Sequence, residues 1–264
     1  MLNKIVKTVY EAAKLFGGDF EISVKGASNY VTDKDIAIEK FLREALAKEI
    51  GDLGFIGEEY ENFDDALTHE YTAVIDPIDG TANFTRNMHL SAISVAILKN
   101  TRPYIGVVYL PDTDEMFYAE AGMGAYLNGK KITVTDKSEK DAILFTAWST
   151  YNKKYAPPCF AICEELYYEI DDIRRLGSAA LELCYLAAGR GEMYFEIRLS
   201  PWDIAAAELI VREAGGYTGT LDSAKFDYTR PQPVLAANSE KNYVYLEKAV
   251  RKHLKEIPYK GETL

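Results

Sequence analysis

Residues 71–84 read Tyr71-Thr72-Ala73-Val74-Ile75-Asp76-Pro77-Ile78-Asp79-Gly80-Thr81-Ala82-Asn83-Phe84. The opening run is aromatic, β-branched or small, which predicts a strand. That strand delivers the carboxylate of Asp76 at its C-terminal end, where the sites of sheet-and-helix proteins commonly lie. Pro77 has no N–H for a ladder and is expected to end the strand. Asp79 follows three residues after Asp76, so a tight turn would bring both acids to one side. At Gly80 and Thr81 a short helix can start, with backbone N–H groups free to hold an anion. Two carboxylates at contact distance repel unless a cation sits between them. Oxygen donors without His or Cys suit Mg²⁺ or a similar hard ion, not zinc. A cation beside anion-binding amides suits a phosphate ester.

Upstream, Leu2, Ile5, Val6, Val9, Ala12, Ala13 and Phe16 make a helical stripe closed by Gly17-Gly18. A second helix is expected from about Asp33 to Ile50, with Thr32 as N-cap. Its expected buried face is Ile36, Ile38, Phe41, Leu42, Ala45 and Leu46. Both helices are expected to precede the first strong strand. Downstream, strands over Ala92 to Leu98, Tyr104 to Leu110 and Glu115 to Ala119 are separated by gaps too short for crossover helices. They should form antiparallel hairpins. Asn128-Gly129 is a further hairpin signal. The Gly-containing stretch before it lacks the third glycine and the strand-to-helix setting of a dinucleotide loop.

From about Asp141 strands and helices alternate. Strands are expected at Ile143 to Ala147, Glu192 to Ile197 and Val234 to Ala237. Helices are expected at Phe160 to Tyr168, Ser178 to Ala188, Pro201 to Ala214 and Ser239 to Leu254, the last capped by Asn238 or Ser239. The pattern predicts a single domain over residues 1–264. An α+β half at about 1–137 meets an α/β half at about 138–264, around one shared cleft.

The 264 residues are 48% apolar and 27% charged, which is globular composition. Lys and Arg number 30 against 41 Asp and Glu, a net charge of −11. That surplus disfavours docking on nucleic-acid phosphates or anionic lipid. Three cysteines, Cys159, Cys163 and Cys184, are an odd, sparse set that fits a reducing cytoplasm. Lys4, Lys7, Glu11 and Lys14 interrupt the first apolar run, so no signal-peptide core is expected. No run of eighteen apolar residues predicts a membrane span. The expectation is a soluble cytoplasmic protein.

Two more acidic clusters stand at element ends: Gly57-Glu58-Glu59, after the Leu53, Phe55, Ile56 run, and Pro201-Trp202-Asp203. Alone, the first reads as a solvated loop pair and the second as a helix-dipole partner. A strand followed by Asp-x-Asp-Gly-Thr would suggest the haloacid-dehalogenase-like phosphatases. Here the acids are one residue further apart, and the motif lies behind two helices.

Taken together, the chain resembles the inositol monophosphatase family of Mg²⁺-dependent, lithium-sensitive phosphatases. The resemblance rests on Gly57-Glu58-Glu59, the run Ile75 to Phe84, and Pro201-Trp202-Asp203-Ile204-Ala205-Ala206. Further matches are Val31-Thr32-x-x-Asp35, Gly177-Ser178-Ala179-Ala180, Glu213-Ala214-Gly215-Gly216 and Leu235-Ala236-Ala237-Asn238. It covers about residues 5 to 250. It implies a sandwich of alternating α-β-α-β-α layers and a homodimer.

The resemblance also implies roles. Glu58, Asp76 and the Ile78 carbonyl would hold one Mg²⁺, and Asp76 would bridge to a second completed by Asp79 and Asp203. A third, weaker ion would share Glu58, and Mn²⁺ is a possible substitute. The amides of Gly80 and Thr81 would receive the phosphate, while Asp35 and the Thr81 hydroxyl would orient the attacking water. Ser178 and Ala179 would face the substrate ring. Glu196, seven residues before Asp203, would accept ring hydroxyls together with Asp79. Some relatives carry an acid where this chain has Asn29, so no ligand role is assigned there. Lys25 lies near the family's basic residue on a polar loop that could close over the site. Arg174 and Arg198 could meet a second phosphate or a partner subunit.

Ala82-Asn83 after Thr81 is close to the inositol-phosphatase form of the motif. The Lys-Glu form of the nucleotide 3′-phosphatase branch is absent. The expected reaction is hydrolysis of a small phosphorylated polyol or sugar, myo-inositol 1-phosphate first. Fructose 1,6-bisphosphate, histidinol phosphate and NADP are the alternatives within the family. A non-enzymatic, regulatory protein-binding role is the alternative outside it.

Overall fold

The computed structural model describes residues 1–26, 29–60, 65–148, 152–221 and 225–254. The chain begins with α1 (Leu2–Ala12), β1 (Ile22–Gly26), β2 (Asn29–Thr32), α2 (Asp33–Ile50), β3 (Leu53–Gly57) and β4 (Tyr71–Asp79). It continues through α3 (Thr81–Phe84), β5 (Ala92–Lys99), β6 (Arg102–Leu110), β7 (Glu115–Glu120), β8 (Ala125–Leu127) and β9 (Lys130–Ile132). After β10 (Ile143–Ala147) and α4 (Ala156–Tyr167) come β11 (Asp172–Arg174), α5 (Ala179–Ala187) and β12 (Met193–Leu199). The last elements are α6 (Pro201–Glu213), β13 (Tyr217–Gly219), β14 (Gln232–Ala237) and α7 (Glu240–His253).

A seven-stranded sheet runs in the order β3-β4-β5-β6-β7-β8-β9, antiparallel except for the β3–β4 pair. A five-stranded sheet runs β11-β10-β12-β14-β13, with β10 parallel to both its neighbours. Side chains alternate between the faces of each strand. On β5, Ile93, Val95 and Ile97 face the core under α1 and α2, while Ala92, Ala96 and Leu98 face the core built with α5 and α6. On β12, Tyr194 joins that central core, and Met193, Phe195 and Ile197 join the core with α4 and α7. Small residues on the inner face of β5 let α6 lie close to the sheet. The result is the expected α-β-α-β-α layering.

As expected, both long helices precede the strong strands β3 and β4, but an unexpected hairpin of β1 and β2 stands between them. Its strands are only five and four residues long, too short to stand out in the sequence. Two expectations are corrected. The helix α2 does span Asp33–Ile50, but its buried line is Asp35, Ile38, Glu39, Leu42 and Leu46. Ile36 is 57% exposed and Phe41 is exposed. Two positions of the buried line are carboxylates, Asp35 and Glu39, neither of which hydrophobic patterning places there.

The second correction concerns Pro77. The strand β4 passes through it to Asp79, because the ladder with β5 bulges there. Asp76 pairs with Ser94 and Asp79 with Ala92, so Pro77 and Ile78 oppose Ile93 alone. A bulge needs no N–H from the extra residue, which makes it a place where proline is tolerated. Its consequence is geometric. Residues three apart on a regular strand point to opposite faces, but the extra residue resets the alternation. Asp76 and Asp79 therefore share the face of Ser94 and Ala92, toward α6.

Among the described residues no helix is long and apolar enough to cross a membrane.

Candidate active site

Asp203 meets the two acids of β4 on that face. Carboxylate oxygens of Asp76, Asp79 and Asp203 all lie within 4.8 Å of one another. Asp203 is also a helix cap: it accepts from Ser200 N at 2.7 Å in the capping box that starts α6. Ser94 Oγ donates to Trp202 O at 3.3 Å, tying the first turn of α6 to the β5 residue opposite Asp76. Asp203 thus serves as a cap, and the same carboxylate stands in the acidic cluster.

Glu58 enters from the end of β3. Its N–H donates to Ile75 O at 3.3 Å, which sets it beside Asp76. The turn after it is held by Glu39, whose Oε2 accepts from Glu59 N at 2.9 Å. A Cβ at Gly57 would stand 2.7 Å from Glu39 Oε1, so any larger residue there would push the Glu39 carboxylate aside. One turn before Glu39 on α2 lies Asp35. Its Oδ2 accepts from Thr32 N at 2.7 Å and from Thr32 Oγ1 at 2.6 Å. Oδ1 of Asp35 is buried and has no hydrogen-bond partner.

Gly80 has φ 87° and begins the short helix α3. Asn83 N and Phe84 N are the donors to Gly80 O, so the amides of Gly80 and Thr81 precede the first intrahelical bonds. The Thr81 hydroxyl donates to Ile78 O at 2.9 Å. A Cβ on Gly80 would stand 3.0 Å from Leu90 O and 3.1 Å from Ser178 Cβ. Gly80→Ala is therefore expected to cost about 1–2 kcal/mol of stability through left-handed backbone strain, and to slow turnover by displacing both amides. Urea unfolding and phosphate release read the two effects, and an alanine variant equal to the parent in both would remove the strain argument.

The fourth side of the site is the start of α5. Ser178 Oγ donates to Asp79 Oδ2 at 2.7 Å and Ala180 N to the same oxygen at 2.6 Å. Ser178, expected to face the substrate, is 1% exposed, and its hydroxyl is committed to Asp79. Ala179 lies between these two donors. Glu196 is half-buried on β12, and Tyr194 Oη donates to its Oε2 at 2.9 Å. Arg174 is paired with Asp172 and is exposed, while the charge of Arg198 acts on Asp203. The loop expected to close over the site, with Lys25 and Asn29, has its side chains outside the described residues.

Burial and mutual repulsion dominate the electrostatics. Burial pushes Asp76 well above the usual carboxylate range, followed by the charges of Glu58, Asp79 and Asp203. Asp79 and Asp203 are raised for the same first reason, Asp79 less so because Ser178 and Ala180 stabilise its charge. Burial lifts Asp35 to about 6 against the opposing Thr32 hydrogen bonds. Glu196 is raised by burial and then by Glu182. Such a cluster needs protons or a cation to be stable. An oxygen-only, strongly anionic donor set fits a hard dication such as Mg²⁺.

Patterning did not single out Thr32 and Asp35 as a reciprocal pair, nor Glu39, Glu182 and Tyr194 as supports. The signal for Glu182 is legible afterwards: it is the one charge in the otherwise apolar helix α5.

Comparison with known proteins agrees along most of the chain. A sequence model described as "Inositol monophosphatase family" matches residues 2–255. The "Nus factor SuhB" of Escherichia coli is 39% identical over 223 residues, covering 82% of this chain and 83% of that protein. The "Inositol-1-monophosphatase" of Rhizobium meliloti is 36% identical over 225 residues, covering 83% and 84%. The solved structure of a Thermotoga maritima IMPase superposes with a TM-score of 0.84 at 28% identity, covering 97% of this chain and 98% of the other.

Proposed function

The chain belongs to the inositol monophosphatase family, and from that premise we propose that it is a Mg²⁺-dependent phosphomonoesterase acting on small phosphorylated polyols, myo-inositol 1-phosphate first. The observation that carries this reading is the convergence of Asp76, Asp79 and Asp203 from two distant segments onto one buried point. Glu58, Asp76 and the Ile78 carbonyl would hold one ion, and Asp76, Asp79 and Asp203 another. Bound dications supply acidified water and neutralise charge on the ester oxygens.

The remaining work falls to the chain. The Gly80 and Thr81 amides take phosphate oxygens at the start of α3. Asp35 Oδ1 is the oxygen left to accept a proton from the attacking water, since Oδ2 already holds two donors. The Thr81 hydroxyl gives its hydrogen to Ile78 O and keeps its lone pairs for the same water. Water attacks in line, and no covalent intermediate with the protein forms. Glu196, with Oε2 taken by Tyr194, offers Oε1 to a hydroxyl of the substrate.

The test is phosphate release from inositol 1-phosphate, fructose 1,6-bisphosphate, adenosine 3′,5′-bisphosphate, NADP and histidinol phosphate, with and without Mg²⁺. Mg²⁺-dependent release, largest for inositol 1-phosphate and blocked by millimolar lithium, is the expected result. Preference for the bisphosphate together with indifference to lithium would move the assignment to another branch. No release from any ester would end it.

A second reading comes from the relatives named as Nus factors: a regulatory role through binding another protein. Glu58, Asp76, Asp79, Thr81 and Asp203 are all present, so such a role would stand beside catalysis. Binding of a defined partner that is unchanged in Asp76→Asn and in EDTA would support it.

A further inference from the structure

Helix α5 reads Ala179-Ala180-Leu181-Glu182-Leu183-Cys184-Tyr185-Leu186-Ala187. Glu182 is 0% exposed in the central core. An acid is rarely buried so completely without partners that require it. Its Oε1 accepts from Leu176 N, and from Gly177 N at 3.2 Å, while Oε2 is buried with no hydrogen-bond partner. Two consecutive amides are thus held by one oxygen reaching back from the first turns of the helix. Asn83 Nδ2 grips the same turn from the other side, donating to Leu176 O at 2.7 Å.

The residues that follow this turn supply the donors to Asp79, the Ser178 hydroxyl and the Ala180 amide with the Ala179 amide between them. Ser178 Oγ and Ala180 N converge on Asp79 Oδ2, leaving Oδ1 outside that pair of bonds. We propose that Glu182 is a positioning residue for Asp79: it anchors the turn at residues 176–177, the turn fixes these donors, and the donors orient Asp79 so that Oδ1 faces a divalent cation. The proposal rests on the metal-site reading above. Its structural requirement is an acceptor oxygen at this reach, not a charge. Without that oxygen two buried N–H groups lose their acceptor, and the Ser178 segment loses its anchor.

The experiment is a titration of the purified full chain with Mn²⁺ alone, following the paramagnetic signal of the free ion. Thermal unfolding and Mg²⁺-dependent phosphate release are measured on the same samples. Glu182→Gln keeps the acceptor and is expected to bind Mn²⁺ within about threefold of the parent. Glu182→Leu is expected to weaken binding about tenfold or more, the range seen when a group orienting a metal ligand is lost. At saturating Mg²⁺ its turnover is expected to recover, with the KM for substrate little changed. In an Asp79→Asn background the leucine substitution is expected to add almost nothing, because its effect runs through Asp79.

Should the leucine variant fail to unfold cooperatively, Glu182→Asp, too short to reach both amides, takes its place. A folded leucine or aspartate variant with parental Mn²⁺ affinity would overturn the proposal. So would a glutamine variant as weak as leucine, since charge would then be the cause. A parent chain that binds Mn²⁺ yet releases no phosphate overturns the catalytic reading and leaves the Glu182 result intact. One that binds no Mn²⁺ overturns both.

Discussion

Asp76→Asn is expected to lower turnover by about a hundredfold or more, while the metal-free protein remains folded and at least as stable as its parent. Asparagine has the same shape and keeps an oxygen to accept from Ile78 N, the bond that Asp76 Oδ1 makes at 3.0 Å. What it removes is one negative charge from a point where burial and Glu58, Asp79 and Asp203 all disfavour that charge. In the absence of metal the substitution relieves repulsion. In its presence it deletes the acid expected to touch both ions. Asp203→Asn is expected to behave alike, because an amide oxygen can still cap Ser200 N at the head of α6. The distinguishing pattern is opposite movement of two readouts: melting temperature in EDTA unchanged or raised, and stabilisation by added Mg²⁺ lost. Near-parental turnover in either variant would sink the assignment of these acids. A cooperative loss of fold in EDTA would show that they serve structure first.

The order of the elements was largely legible because the signals that carry it are local. Thr32 before Asp33 and Asp35 announced an N-cap, and the structure has the full reciprocal box there. Ser239 turned out to be the cap of α7, which the sequence had left open against Asn238. Short gaps between apolar runs predicted the antiparallel meander from β5 to β7. What stayed hidden was non-local. The three-residue strands β11 and β13 exist only because a neighbour offers a ladder. The strand β4 survives Pro77 because β5 tolerates a bulge opposite it, and nothing within residues 71–84 reports on β5. The exposed Ile36 and Phe41 have the same origin. The face of α2 that turns inward is set by where Asp35 and Glu39 must stand, beside the ends of β3 and β4.

This division follows the chemistry. The acids that would touch a ligand sit at element ends, next to Pro and Gly, where composition changes abruptly and draws attention. The acids behind them, Glu39 and Glu182, lie inside helices, where a glutamate ordinarily signifies a solvated face. Each lies four residues after a site residue, Asp35 or Ser178, and each binds the backbone of a turn that carries another. A buried acid one helical turn behind a ligand-bearing position is thus the repeated support of this site. It becomes visible only when burial is known.

Metal-free protein is expected to melt at a higher temperature at pH 5 than at pH 8, with saturating Mg²⁺ removing most of the difference. Burial, and then neighbouring charge, lifts Asp203 to about 7, while Asp79 stands at about 6 and Asp76 is raised further by Glu58 and its other neighbours. Buried Glu182 stands at about 8. In the unfolded chain these carboxyls titrate near 4. Above that pH the folded chain keeps protons that the unfolded chain has released, so the native state binds more protons and stability falls as pH rises. For Asp79, Asp203 and Glu182 protonation stabilises the fold fully below about pH 4, and that stability is lost by about pH 8. Over its own interval each such group costs about 1.4 kcal/mol per pH unit, and about 1 kcal/mol moves the melting temperature of a chain this size by roughly 2–4 °C. One such group across one pH unit already amounts to several degrees, so the difference between pH 5 and pH 8 should be several degrees at the least. The surface acids held low by Arg190 and Lys241, Glu115 and Glu139, have the opposite sign. They are ionised in both states throughout this window and contribute a constant. A dication replaces the protons, so its stabilising effect should grow with pH as competition from protons fades. A metal-free melting temperature that instead climbs from pH 5 to pH 8 would mean that neighbouring cations such as Arg198 already balance the cluster. The acids would then need no metal at all.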